Sequence, residues 1–389
     1  MGPALLLTLA LGIDPQLARS YLAEAGASCK AGALLWPRGL CGPIVIVDAK
    51  TRGYVTADGE GTLPKDAAIA NTAANMNGSK WIMLQWPLPE DRNVRLALML
   101  HESFHFVQAD IGFPMANPAN PHLDSLEGRY WIELEWRALA AALESDGDAR
   151  RRAAADAVGF RRKRRAIFPD AAATERALEM NEGLAEYTGV SLSGDSARLA
   201  LRDLADAAAK PTFVRSFAYA TGPAYGLLLD AADPAWRKSL KPTDDLADLL
   251  VRSMKLGVPA EPAIQPYDGA VLRDREVERD QARRRRLAEF RKLLIEGPVL
   301  EIPLRSMSFD FNPDEPVPIE GFGTVYPTIT VRDDWGRIEV AKGALLAENY
   351  SRLMVSATAR DTGWRLDLKP GWKIVPGKRA GDLTIARDR

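Results

Sequence analysis

Residues 101–105 of this 389-residue chain read His-Glu-Ser-Phe-His. On a helix, His101 and His105 lie one turn apart on one face, so both imidazoles reach a single metal ion. Glu102, between them, is placed to take a proton from a water that such a metal polarises. The flanking residues predict that helix. Leu96, Leu100, Phe104, Val107 and Ile111 form an apolar stripe, while Val94, Ala97, His101, His105 and Gln108 fall on a neighbouring face. Packing and ligation therefore use different faces, and Asp91 or Asn93 can cap the start.

A zinc site needs at least three protein ligands, and this pair supplies two. The chain has three histidines in all. In the longer H-E-x-x-H-x-x-G-x-x-H motif, Gln108 would stand where glycine is needed and Ile111 where the third histidine is needed, and His122 lies well beyond, so the metzincin pattern fails. A carboxylate is the remaining choice. The segment Asn181-Glu182-Gly183-Leu184-Ala185-Glu186-Tyr187 is the obvious candidate source.

H-E-x-x-H followed by N-E-G-x-A-x-Y resembles the gluzincins, the zinc peptidases that include thermolysin and the alanyl-aminopeptidase-like enzymes. The resemblance covers roughly residues 80–230. It implies a zincin-like catalytic domain, Zn2+ held by His101, His105 and Glu182, and Glu102 as general base in hydrolysis of a peptide or protein substrate. It also implies a tyrosine in a Y-x-x-G setting that helps stabilise the transition state, which maps onto Tyr219 of Tyr219-Ala220-Thr221-Gly222. Two departures are visible. The interval between His105 and Glu182 is far longer than in those relatives, which makes 123–170 a helical insertion and leaves Asp124, near the usual spacing, and Glu127 as competing ligands. The G-x-M-E-N signature of the aminopeptidases is missing, so the zinc geometry carries over and amino-terminal specificity does not. Glu186 shares a helix face with Glu182 and fits either a supporting role at the site or an ordinary ion-paired surface. Asn181 fits a hydrogen-bonding support. Tyr219 and Tyr225 also fit ordinary core tyrosines, and Trp131 and Trp136 read as core.

The elements around these residues predict an α+β fold. Residues 33–88 read as strands and turns, with β-branched 44–47 and the run 81–86 as the clearest strands. The strand 81–86, just before the motif helix, is expected to be the sheet edge that aligns an extended peptide. Residues 91–296 are mostly helical, including 130–143, 174–187 and a charged helix over 274–296 closed by Gly297-Pro298. Pro223 predicts a kink or a helix start within 216–230. Past Pro298 the pattern becomes short alternating runs separated by Gly and Pro. The chain thus divides at sequence level into 1–298, a zincin-like domain with a small N-terminal sheet and a helical middle, and 299–389, a small all-β domain.

Composition bounds the alternatives. A formal net charge of −1 gives no overall pull toward nucleic acid. The basic runs 150–152, 161–165 and 283–286 read as solvated helix faces. Cys29 and Cys41 either pair or serve as small apolar side chains. The apolar run 4–11 is too short to span a bilayer. It resembles the core of an export signal, although no Lys or Arg precedes it, and the reading leans toward an exported protein. A buried helix is the alternative, followed by a second helix over 16–25 that Asp14-Pro15 opens and Gly26 ends. No later run is a membrane span. The function expected is zinc-dependent peptide hydrolysis. The alternatives are a zinc protein of the same fold without turnover and a zinc hydrolase of a non-peptide amide or ester.

Overall fold

The computed structural model describes residues 12–65, 67–76, 78–311 and 316–388. The apolar run 4–11 lies outside them. Two compact units divide the chain, Met1–Arg273 and Asp274–Arg389. The division falls inside a long helix, upstream of the change of pattern at 298. The fold is α+β, with a helical middle and a C-terminal all-β region.

The first unit opens with α1 (Pro15–Cys29). Asp14 caps it by accepting from the backbone N–H groups of Gln16 and Leu17. Gly26 does not end this helix. The buried stripe Ala18, Leu22, Ala25 and Cys29 continues past it, and that burial outweighs the roughly 1 kcal/mol cost of an interior glycine. Cys29 and Cys41 form a disulfide with Cα atoms 5.0 Å apart. The loop it closes seats Trp36 in the core, where its indole donates to Thr188 Oγ1 at 2.9 Å and packs on Phe104 and Phe113.

A five-stranded sheet follows, built from β1 (Ile44–Asp48), β2 (Gly53–Val55), β3 (Glu60–Thr62), β4 (Thr72–Met76) and β5 (Ser79–Trp86). The spatial order is β3-β2-β1-β5-β4. β5 runs parallel to β1, with Ile44 opposite Ile82, and antiparallel to β4. The expectation that 81–86 forms an edge is therefore corrected. Its alternation left both faces legible but not its neighbours, and pairing places it inside the sheet, with β4 as the outer strand on that side. Ile46, Val55, Ile82 and Leu84 pack on Ala18 and Leu22 of α1 and on Met99 of α2 (Arg92–Val107).

The helical middle comprises α3 (Leu126–Leu143), α4 (Gly147–Ile167), α5 (Ala171–Leu178), α6 (Leu184–Leu192), α7 (Ser196–Ala208), α8 (Ser216–Ala232) and α9 (Leu246–Met254), followed by α10 (Gly269–Arg291). The helix expected over 174–187 is α5 and α6 joined by a π-helical turn, Glu179–Gly183. Pro223 sits inside α8. The pair α3 and α4 fills the long interval between the two motifs.

One sequence reading is overturned here. Arg161 and Arg164 of the basic run on α4 are not on a solvated face; they are among the largest fully buried side chains. They lie one turn apart, and four acidic groups converge on that face. Glu135 accepts from Arg161 and Arg164, Glu179 from Arg161, Glu175 from Arg164 and Arg165, and Asp245 from Arg165. Local charge patterning cannot see acids that come from α3, α5, the π turn and the cap of α9. Both arginines are held charged: burial opposes the charge, and the surrounding carboxylates more than offset it.

The second unit holds two antiparallel-rich sheets. One has Trp364–Leu368, Gly336–Val340, Ile329–Asp333 and Ser308–Phe311 in that spatial order. The other has seven strands, with Val299–Pro303 and Arg352–Ser356 adjacent near its middle. Trp335, Ile338, Leu300, Leu353 and Val355 belong to one buried cluster, so the two sheets share a core.

Candidate metal centre

His101 and His105 project from α2, whose start Asp91 caps through the N–H groups of Asn93 and Val94. Glu182 comes from the π turn between α5 and α6. A π turn adds one residue to the helical repeat and so re-aims the side chains it carries. Two close approaches hold these elements together. A Cβ on Gly189 of α6 would lie 2.2 Å from the carbonyl oxygen of Ala97 on α2. A Cβ on Gly222 of α8 would lie 2.3 Å from Gly183 Cα in the π turn. Only glycine fits at either crossing. Gly183 and Gly222 are the glycines of the N-E-G and Y-x-x-G motifs, which gives those motif positions a packing reason.

The three ligand candidates meet. His101 Nε2 and His105 Nε2 are 3.1 Å apart, and Glu182 Oε2 is 3.5 Å and 3.3 Å from them. All three residues are buried, at 4–7% exposure. The other ring nitrogens fix the tautomers. His105 Nδ1 is 2.7 Å from Gln108 Oε1. Gln108 uses its amide nitrogen to donate to Asn181 Oδ1 and to the Pro114 carbonyl, so its oxygen can only accept. His101 Nδ1 lies 2.7 Å from Glu186 Oε2 and donates to it. With both Nδ1 atoms protonated, the two neutral rings and the carboxylate turn three lone pairs toward one point. Such a triangle is repulsive without a cation or proton inside it. Two ligands held tetrahedrally at zinc–nitrogen distances are about 3.3 Å apart, which these separations match. The three residues thus form a buried group able to hold a metal ion.

Supporting hydrogen bonds link the two motifs into one circuit. Gln108 joins His105 to Asn181, and Asn181 Nδ2 donates to Glu182 Oε1 at 3.3 Å. Tyr219, on α8, donates its hydroxyl to Glu182 Oε2 at 2.7 Å, and its ring stacks on His101 with centroids 5.5 Å apart. Burial, reinforced by the Glu182 charge, pushes the Tyr219 phenol well above its ordinary range, so it remains a donor. Burial works against a charged His101, yet hydrogen bonds to Glu182 and Glu186 push it up to about 10. Glu182 is correspondingly held low by both histidines and Tyr219, against the effect of burial. Glu102 is buried and its carboxyl is raised by that burial, partly offset by His101 and His105.

The competing carboxylates have other work. Asp124 accepts from Thr212 Oγ1 at 2.6 Å and from the backbone N–H of Phe213 at 2.8 Å, which ties down the approach to α8. Glu127 accepts from the Trp131 indole and pairs with Arg273. His122 pairs with Glu175. Tyr225 is fully buried with its hydroxyl on Glu135, and Trp136 is core.

Three contributors were not recognised from sequence. Gln108 was placed on the histidine face and in the position where the longer motif needs glycine, but not given a role, although its place one turn after His105 is the signal that finds it. The π turn leaves no mark in a periodicity analysis. Arg215, whose guanidinium Nη2 lies 3.5 Å from Glu182 Oε1, is remote in sequence from both motifs. Comparison with known proteins finds no matching family model, no matching curated protein and no matching solved structure.

Proposed function

We infer that this protein is a zinc-dependent hydrolase of the gluzincin type, acting on peptide bonds. The observation that carries this reading is the lone-pair triangle of His101, His105 and Glu182 with Glu102 beside it. These three residues would hold the zinc, and the ion would supply polarisation of the attacking water and of the scissile carbonyl. Glu102 takes the proton from that water on its carboxylate oxygen and passes it to the leaving nitrogen. Glu186 and Gln108 hold the two imidazoles in the tautomer that presents Nε2. Tyr219, kept protonated, is the donor on the α8 side; its hydroxyl, which donates to Glu182 Oε2, would turn from that oxygen to the oxyanion of the tetrahedral intermediate. An extended substrate can be aligned by β4, the outer strand next to β5.

The test is a matched pair of measurements on wild type and Glu102→Gln. Zinc content should be about one per chain in both, because Glu102 is not in the ligand triangle. Hydrolysis of a mixed peptide pool should fall about 10²–10⁴-fold in the variant, since the amide accepts no proton near neutrality. A folded wild type that takes up no zinc, or equal hydrolysis by both proteins, overturns the reading.

A further inference from the structure

Glu182 has two oxygens with different surroundings. Oε2 faces the histidines, and Oε1 faces Asn181 and the guanidinium of Arg215. Arg215 precedes α8 by one residue, and Tyr219 follows it by one helical turn. The two side chains therefore reach the cluster from one end of one helix, whose approach Asp124 anchors. Tyr219 is half-buried, whereas the Arg215 side chain is 52% exposed. Among the described ion pairs, Arg215 is the arginine that reaches Glu182. Its pairing there is loose, at 3.5 Å, against 2.7–2.9 Å for a well-formed charge-assisted hydrogen bond. A half-exposed guanidinium with spare donors at a hydrolytic site is a receptor for an anion.

We propose that Arg215 anchors the C-terminal carboxylate of the substrate, so that the protein removes residues from the carboxyl end of peptides. This rests on the hydrolase reading above and adds the substrate class. The distances agree. Nη2 lies within about 6 Å of Glu182 Oε2, the ligand atom, given ordinary carboxylate dimensions. In a peptide the terminal carboxyl carbon lies about 3.5–4 Å beyond the carbonyl carbon of the preceding residue. With that carbonyl at the ligand cluster, a carboxylate running toward the Oε1 side of Glu182 falls within hydrogen-bond reach of the guanidinium. The water oxygen adds to the carbonyl carbon, the C–N bond breaks, and the nitrogen takes a proton by way of Glu102. The products are one free amino acid and a peptide shortened by one residue with a new carboxylate.

Three peptides test this: the free acid and the C-terminal amide of one sequence, and an amide in which the last residue is replaced by Glu. Both kcat/KM and calorimetric affinity for zinc-loaded Glu102→Gln protein are measured, so binding is read even without turnover. The free acid should be favoured over the plain amide about ten- to hundredfold, the range expected for a charge-assisted pair. Arg215→Ala should bring that ratio near one, with zinc content and Tm as in wild type, and Arg215→Lys should keep part of it. Equal handling of free acid and amide overturns the proposal, as does preference for the Glu amide over the free acid. If Arg215→Ala slows all three peptides alike, the guanidinium serves the oxyanion and not a carboxylate. If it loses zinc, Arg215 only supports Glu182. Binding of the free acid through Arg215 with no hydrolysis of any peptide would instead overturn the hydrolase reading and leave the anchor standing.

Discussion

At the scale of single residues, the site separates atoms that face the metal position from atoms that hold them there. Glu182 offers Oε2 to the cluster, so Glu182→Ala should lower zinc affinity far more than Asp124→Ala, whose carboxylate is used by Thr212 and Phe213. Gln108→Ala and Glu186→Ala each remove the acceptor of one Nδ1–H and should weaken zinc about 10–100-fold. Chelator competition on the four variants ranks them. A different residue carries a pH effect. Asp203 on α7 is pushed up to about 7 by burial, with the charge of Glu186 adding, and its Oδ2 is buried without a hydrogen-bond partner. Its folded pKa lies above the ordinary 3.8. Its contribution to stability is therefore fully present below about pH 3.8, declines above that, and is lost as pH rises through about 7. Asp203→Asn cannot ionise, so it should raise Tm by a few degrees at pH 8 and by less at pH 5. Thermal unfolding at the two pH values checks the sign.

At the scale of elements, the ligand-bearing π turn is clamped from two sides. Gly222 lets α8 lie against it, and Arg161 grips Glu179, the first residue of the turn. Gly222→Ala forces a Cβ into Gly183 backbone. It should cost about 1–3 kcal/mol in unfolding free energy and weaken zinc binding as the turn is displaced. Arg161→Met leaves Glu135 and Glu179 as buried charges short of a partner. Breaking a buried pair from one side typically costs about 3–5 kcal/mol, and denaturant titration should find a loss of that size. The disulfide acts on the same elements from the other side. Its loop seats Trp36 between Phe104 of α2 and Thr188 of α6, so it braces the histidine-bearing helix against the helix that follows the π turn. Replacing Cys29 and Cys41 by Ser should cost about 3 kcal/mol on chain-entropy grounds.

At the scale of the whole chain, the group of His101, His105 and Glu182 that could hold a metal ion, with its supports, lies within Met1–Arg273. The second unit has its own core around Trp335 and contributes none of these residues. A fragment of residues 274–389 should therefore unfold cooperatively by itself, followed by Trp335 fluorescence, since two sheets sharing one buried cluster form an independent core. Among the described residues no helix is long and apolar enough to cross a membrane.

The sequence by itself determined the chemistry that depends on short spacing. An i, i+4 pair of histidines with an intervening glutamate needs nothing beyond a helix to share a face, and the stripe of Leu96, Leu100 and Phe104 guaranteed that helix. The α+β class and the change to short strands after Pro298 were likewise written in local periodicity. The motif around Glu182 favoured it over Asp124 and Glu127, but the long interval left that choice to the tertiary structure, in which packing brings Glu182 Oε2 to both Nε2 atoms. It also decided that β5 lies inside its sheet, since alternation tells a strand its faces but not its neighbours. The burial of Arg161 and Arg164 followed the same logic. A run of basic residues looks solvated until acids from four other segments are folded onto it, and the free energy of pairing buried charges is a property of that assembly, not of the run.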